Sequence, residues 1–398
     1  MLLSLSYIFI VGLTLGGLMK RIKLPPLLGM LVAGLVLGPH GLNLIALEIL
    51  AISKDLRQIA LIIILTQVGL SLDIKDLKRV GRPALLMSFV PATFEMLAIT
   101  LLGPWLLGLS VLDSALLGAV LAAVSPAVVV PRMLKLMQEG VGTQHRVPQM
   151  IMAGASLDDV FVIVIFTSLV GMSQGQGFEA VRLLQVPVSM MLGIGIGIVA
   201  GWVLVRVFKR FHMRDTVKVL VVLGVSFVLV NIETLLEGIV PISGLLGIVA
   251  MGLTILEIYP VLAKRLSGKF SKSWVGAELL LFVMVGAAVD LSYLSVAGLN
   301  AVLLIGVALV FRSLGVFTCQ VGTSLTQQER LFSALAYLPK ATVQAAIGSV
   351  PLALGLASGN IILSVAVAAI VLTAPVGALA IDWSYRRLLK RDVATESS

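Results

Sequence analysis

Charge is scarce in this chain. Of its 398 residues only 12% are Asp, Glu, Lys or Arg, about half the share of an ordinary soluble domain. So few charges cannot clothe a water-facing surface, and 59% apolar residues with a mean hydropathy of +1.10 point to a membrane protein. Cysteine is nearly absent: Cys319 is alone and cannot form an internal disulfide. The histidines, His40, His145 and His212, fall near span ends or in loops. No metal cluster, glycine-rich phosphate loop or nucleophile triad can be read, which leaves little room for an enzyme or a cofactor. A charged leader is missing as well. The chain is apolar from the start and its basic cluster, Lys20-Arg21-Ile22-Lys23, comes afterwards. That order is wrong for a cleavable signal, so the first segment is expected to remain as a span.

What is present is a succession of apolar runs. Thirteen can be read, at 3–19, 26–46, 56–72, 84–108, 112–137, 146–172, 184–208, 216–235, 239–260, 274–294, 298–321, 329–355 and 360–385. Most are near the ~20 residues that cross a bilayer as a helix, so the predicted fold is an all-α polytopic membrane protein with about 13 spans. Only Leu109 to Val111 separates the fourth run from the fifth. No soluble domain interrupts the series, and the tail after Lys390 is short and polar.

The net charge of +9 does not imply a nucleic-acid partner, because the basic residues gather in short loops between apolar runs. The connections after runs 1, 3, 5, 7, 9 and 11, with the C-terminal tail and adjoining span ends, hold 24 of the 29 Lys and Arg. The opposite loops hold Lys54, Arg57 and Arg182. This asymmetry predicts a cytoplasmic C-terminus, an N-terminus outside and an odd number of spans.

The two halves of the chain resemble each other. Leu27-Leu-Gly-Met-Leu-Val-Ala-Gly-Leu35 returns as Leu245-Leu-Gly-Ile-Val-Ala-Met-Gly-Leu253, and Val68-Gly-Leu-Ser-Leu-Asp73 as Val285-Gly-Ala-Ala-Val-Asp290. Ser125-Pro126-Ala-Val-Val has a counterpart in Leu338-Pro339-Lys340-Ala-Thr342. Seven spans separate the copies, and an odd number inverts the second in the bilayer, a pattern of secondary transporters. The expected division is a first repeat over 1–183, a linking span and loop over 184–215, and a second repeat over 216–398.

Prolines interrupt both copies at matching places: Pro126 and Pro131 in the fifth run, Pro339 and Pro351 in the twelfth, where Gly348 adds to the break. Inside a membrane such breaks are tolerated where protein or a wet cavity satisfies the freed backbone groups. Two crossed discontinuous helices are therefore expected. Lys340, beside the second break, is placed to compensate the partly negative helix ends that meet there. Glu95 and Arg312, each isolated among apolar residues and 217 positions apart, are expected to form an ion pair that holds the halves together.

Asp158 and Asp159 sit mid-run, with no basic residue between Arg146 and Arg182. One charge at the centre of a membrane helix costs at least ~2.5–3.5 kcal/mol, so two in succession need a reason. The bland reading is a pair of capped structural acids. The functional one is that a buried carboxylate holds either a proton or a hard monovalent cation, and the two compete. Ser125, Ser156, Thr342 and carbonyls freed at the breaks are candidates to complete an oxygen shell. Neighbours on a helix point ~100° apart, so one aspartate is expected to face the ion while the other contacts protein.

Val124-Ser-Pro-Ala-Val-Val-Val-Pro131, Gly154-Ala-Ser-Leu-Asp-Asp159 and Leu338-Pro-Lys-Ala-Thr-Val-Gln-Ala-Ala-Ile-Gly348 resemble the monovalent cation:proton antiporter superfamily. Within it they look like the NHA-type sodium/proton exchangers. The resemblance implies an NhaA-like antiporter fold with a dimer domain and a mobile core domain, alternating access, homodimers, and Asp159 as the main ion- and proton-carrying carboxylate. Arg312 stands where many electrogenic relatives carry a lysine, and an arginine does not release a proton at working pH. Many bacterial relatives have Thr-Asp at the first break; with Ser125-Pro126 here, helix-end compensation is expected to rest on Lys340 alone.

The reading is a sodium (or lithium)/proton antiporter of the inner or plasma membrane, with monovalent cations, protons and the lipid bilayer as partners and no cofactor. Potassium/proton exchange and a sodium-coupled solute symporter are the alternatives within transport. An intramembrane aspartyl protease needs two acids that converge from separate helices, and a channel needs a continuous polar pore rather than one acidic site.

Overall fold

The computed structural model describes residues 1–71, 81–173, 180–236, 240 and 242–391. The side chains of 138, 156, 160, 180–187, 190 and 291–297 lie outside that description, as do Asp73 and the rest of 72–80. Helices α1 to α4 span Leu2–Arg21, Pro26–Leu37, Leu47–Ala51 and Ser53–Ser71. Helices α5 to α9 span Arg82–Met87, Val90–Leu107, Val111–Ala122, Pro126–Gln138 and Val147–Ser173. Then come α10 (Ala180–Arg210), α11 (Asp215–Leu235), α12 (Gly244–Ile258), α13 (Pro260–Ala288) and α14 (Leu291–Cys319). The last are α15 (Gln327–Ala336), α16 (Thr342–Ile347), α17 (Val350–Ala353) and α18 (Gly359–Leu388). Among the described residues no strand forms beyond an isolated bridge between Val141 and Arg391.

Helices fall on all thirteen apolar runs of the sequence. Among the described residues nine are long and apolar enough to cross a membrane, and Pro26–Leu37, Gly244–Ile258 and Thr342–Ala353 are shorter apolar helices. The narrow division between the fourth and fifth runs is a helical hairpin. Gly108 closes α6 in the left-handed region at φ 65°, a conformation that costs glycine nothing. Ser110 then caps α7, its Oγ accepting from the Asp113 N–H at 3.0 Å.

The described residues gather into two compact units, each assembled from both halves of the chain. One takes its residues from 1–46, 74–166 and 282–398, the other from 47–73 and 167–281. In the first, α1 packs on α2, α6 on both α7 and α14, and α18 on α14 and α15. Its core includes Met87, Val124, Met133, Ile151, Phe332 and Tyr337. In the second, α12 packs against α4, α10 and α11.

Glycines set the closest helix contacts. In the first unit Gly34 of α2 meets Gly286 of α13; a Cβ on Gly286 would stand 3.1 Å from the Gly34 Cα. In the second unit Gly252 of α12 meets Gly69 of α4, and a Cβ on Gly252 would stand 2.9 Å from the Gly69 Cα. Only small residues allow membrane helices to approach this closely. Gly34 and Gly252 occupy matching places in the sequence repeat, and so do Gly69 and Gly286.

Candidate functional site

The site lies within the first unit, where two helices are interrupted. Helix α7 stops at Ala122, residues 123–125 are extended, and α8 restarts at Pro126 with Ser125 at its N-cap. Proline suits that first position, since its missing N–H would have no intrahelical acceptor there. Helix α15 stops at Ala336, and α16 begins at Thr342 after a non-helical Ala341 (φ −162°, ψ −75°). The two interruptions touch: the Ser125 N–H donates to the Pro339 carbonyl at 2.8 Å.

Breaking a helix inside an apolar core leaves carbonyls without partners, each costing several kcal/mol if buried dry. Two side chains answer here. Arg312, from α14, donates through Nε to the Tyr337 carbonyl at 2.8 Å and through Nη1 to the Ala122 carbonyl. Gln344, in the first turn of α16, donates through Nε2 to the Leu121 and Ala123 carbonyls at 3.2 and 2.8 Å. The expectation that Lys340 alone compensates these ends is not what the geometry provides. Its ammonium instead donates to Glu95 Oε2 at 2.6 Å, while its backbone N–H donates to Thr373 Oγ1 at 2.9 Å. Arginine and glutamine reach several carbonyls at once with planar, multiple donors, whereas the lysine ammonium settles on the nearest carboxylate.

Glu95 and Arg312 meet at 2.8 Å, within a larger cluster than a pair. Arg312 Nη2 also donates to Asp158 Oδ2 at 2.7 Å, and the same oxygen accepts from the Val124 N–H at 2.8 Å. Asp158 is thus tied to both the arginine and the first break. Asp159, the next residue on α9, faces elsewhere, and among the described residues nothing pairs with it. Its Oδ1 is buried and has no hydrogen-bond partner. Ser125 Oγ, Thr342 Oγ1, Asp158 Oδ1, Gln344 Oε1 and the Tyr337 hydroxyl are likewise buried and without partners. The Ser156 side chain lies outside the described residues.

Charge counting defines what this cluster can hold. Glu95, Asp158 and Asp159 are three carboxylates, and Arg312 and Lys340 are two cations; all five are buried. With every group ionised the site lacks one positive charge, in surroundings where an uncompensated charge is expensive. The sequence held one sign of Gln344's place here: an amide in an otherwise apolar stretch, beside a helix break.

Comparisons with known proteins accord with this geometry. The family model described as "Sodium/hydrogen exchanger, transmembrane" matches residues 6–386. The chain belongs to that family. The human sodium/hydrogen exchanger 9B2 is 35% identical over 98% of this chain and 75% of its own length. The human sodium/hydrogen exchanger 9B1 is 32% identical over 89% and 71%. Among solved structures, the sodium proton antiporter MjNhaP1 from Methanocaldococcus jannaschii superposes with a TM-score of 0.82, covering 97% of this chain and 99% of that one. At 21% identity this likeness speaks for the fold, which is that of an antiporter. Family membership makes the chain an integral membrane transporter, and the antiporter-superfamily resemblance of its motifs stands.

Proposed function

We propose that the chain exchanges Na+ (or Li+) for H+ across the membrane by alternating access, with cation and proton competing for Asp159. One observation carries this reading. The buried cluster holds three carboxylates against two cations, and the acid left without a partner among the described residues is Asp159. A single monovalent cation or a single proton restores neutrality, so the loaded site can change sides while the empty, charged one crosses poorly. The unpartnered oxygens of Asp159, Asp158, Ser125 and Thr342 supply hard ligands of the kind such a cation takes. The relatives named above are sodium/hydrogen exchangers, which favours Na+ as the cargo.

Arg312 keeps its proton throughout, and Asp158 is fixed to it. Asp159 then carries one charge per passage, either as bound cation or as bound proton. Exchange is accordingly one for one and electroneutral.

The second copy of the repeat is read as inverted with respect to the first, with the broken helices crossing at midplane. The matched contacts Gly34–Gly286 and Gly69–Gly252 support a two-fold relation, as does the Glu95–Arg312 pairing of equivalent positions. The thirteen apolar runs are read as thirteen crossings, and the distribution of Lys and Arg favours an N-terminus outside and a C-terminus in the cytoplasm. The working protein is proposed to be a homodimer in the inner or plasma membrane.

Proteoliposomes with an imposed pH gradient and a pH-sensitive dye test the reading. Added Na+ or Li+ is expected to release the gradient, and Asp159→Ala to abolish the response. Clamping the voltage with valinomycin should leave the rate unchanged. If the native protein moves no protons on addition of Na+ or Li+, or if Asp159→Ala retains exchange, the assignment fails.

A further inference from the structure

The second unit contains a basic cavity of about 710 Å³ that shares no residue with the ion site. It lies where the end of α10, the start of α11 and the start of α13 come together. Its walls present Lys209, Arg214, Lys218, Arg265 and Lys269, with Asp215 as the acid among them. Asp215 is already engaged, its Oδ2 standing 3.3 Å from Arg265 Nε. Four cations therefore share the cavity with no carboxylate among the described residues to neutralise them.

Their local contacts sharpen the point. Lys218 is 6% exposed, although an ammonium on a flexible stem ordinarily stays in water. Its Nζ lies 5.6 Å from the centre of the Phe208 ring, and Lys209 Nζ lies 5.5 Å from that of Tyr259. An aromatic face attracts an ammonium more weakly than a carboxylate does and leaves its charge available to an anion. The helices around the cavity also carry exposed apolar side chains within two turns of it: Trp202, Phe211, Val217, Leu220 and Val261. In a membrane protein these face acyl chains, with the cations at headgroup depth.

We propose that this cavity binds the headgroup of an anionic phospholipid, with the phosphate held by Lys209, Lys218 and Lys269 and the acyl chains lying along the neighbouring apolar faces. Basic pockets between membrane helices suit such headgroups. The surplus of four cations fits a headgroup with two phosphates better than one with a single phosphate. The site is separate from Asp159 and does not depend on which ions the protein exchanges.

The test uses the full chain in neutral detergent, with thermal melting and native mass spectrometry after addition of diphosphatidylglycerol, phosphatidylglycerol or phosphatidylcholine. Sodium pyrophosphate and inorganic phosphate supply the soluble arm. Diphosphatidylglycerol is expected to raise the melting temperature most and to remain bound in the mass spectrum, and phosphatidylcholine to do neither. The exposed double substitution Lys209→Ala/Lys269→Ala should weaken lipid binding by about thirtyfold, on roughly a kcal/mol per lost contact. It should leave the lipid-free melting temperature unchanged. Lys264→Ala/Lys272→Ala, which removes two cations from the same helix outside the cavity, should leave binding intact. Lys218→Met keeps the buried stem and should weaken binding further; if it fails to fold, the exposed pair still decides. Equal protection by phosphatidylcholine, equal loss in both double variants, or full protection by pyrophosphate alone would overturn the proposal.

Discussion

Arg312 Nη2 lies 2.7 Å from Asp158 Oδ2, and neither side chain is exposed at all. The same guanidinium reaches Glu95 and the carbonyls at both helix breaks, so it joins two buried carboxylates and two break carbonyls. Removing one partner from a buried pair ordinarily costs about 3–5 kcal/mol, because the other charge is left alone. Arg312→Ala is therefore expected to lower the melting temperature of the purified protein sharply, before any question of transport arises. An unchanged melting curve would mean that the cluster is held by something other than this arginine.

The adjacent aspartates are expected to respond in opposite ways. Asp158→Asn strips Arg312 of one charged acceptor and should destabilise by about 3 kcal/mol or more. Asp159→Asn removes a buried charge that has no partner among the described residues, which should leave stability unchanged or raise it. Transport should follow the other order: Asp159→Asn eliminates cation-driven proton movement in liposomes even though the protein is well folded. If both variants melt alike, the division of labour between the two acids is wrong.

Gln344 is expected to matter through its amide hydrogens. Gln344→Leu preserves bulk but strips the Leu121 and Ala123 carbonyls of their side-chain donor, and an unsatisfied buried acceptor costs about 1–3 kcal/mol. Gln344→Glu should be worse, since an ionised carboxylate would face those carbonyl oxygens. Melting measurements on the two variants check the order, and hydrogen exchange in the last turn of α7 should accelerate in both. A Gln344→Leu protein as stable as the native one would show that water already serves these carbonyls.

Much of the architecture was legible because membrane solvation leaves few options. Apolar runs near 20 residues become helices, and prolines at matching positions, Pro126 and Pro339, became the two helix breaks. The Glu95–Arg312 contact was legible for a similar reason: isolated opposite charges in apolar runs seek each other. What could not be read was how a multivalent side chain divides its bonds. Lys340, Arg312 and Gln344 all lie near the breaks, and only three-dimensional reach puts the lysine on Glu95 and leaves the carbonyls to the other two. The basic cavity was illegible too, since Lys209 and Lys218 flank one connection while Lys269 lies on α13, about fifty residues further along the chain, and the basic stretches look alike in sequence. Periodicity reports which residues share a helix face, not which helix ends converge.

The glycine contacts offer a test of the two-fold relation itself. A methyl group on Gly34 would run into the Val283 carbonyl, and one on Gly252 would press on the backbone of Gly69 and Leu70. Overpacking of this kind costs about 1–3 kcal/mol, at times more. Gly34→Ala and its repeat counterpart Gly252→Ala should therefore destabilise by similar amounts, and Gly69→Ala should match Gly286→Ala. Gly17 and Gly306 have open space at the same position. Alanine there should be neutral or stabilise by up to about 1 kcal/mol, since alanine loses less backbone entropy in a helix. Thermal melts of the six variants decide the matter. Losses confined to one member of each equivalent pair would mean that the sequence repeat does not translate into matched packing, and the inverted-repeat reading would lose its structural support.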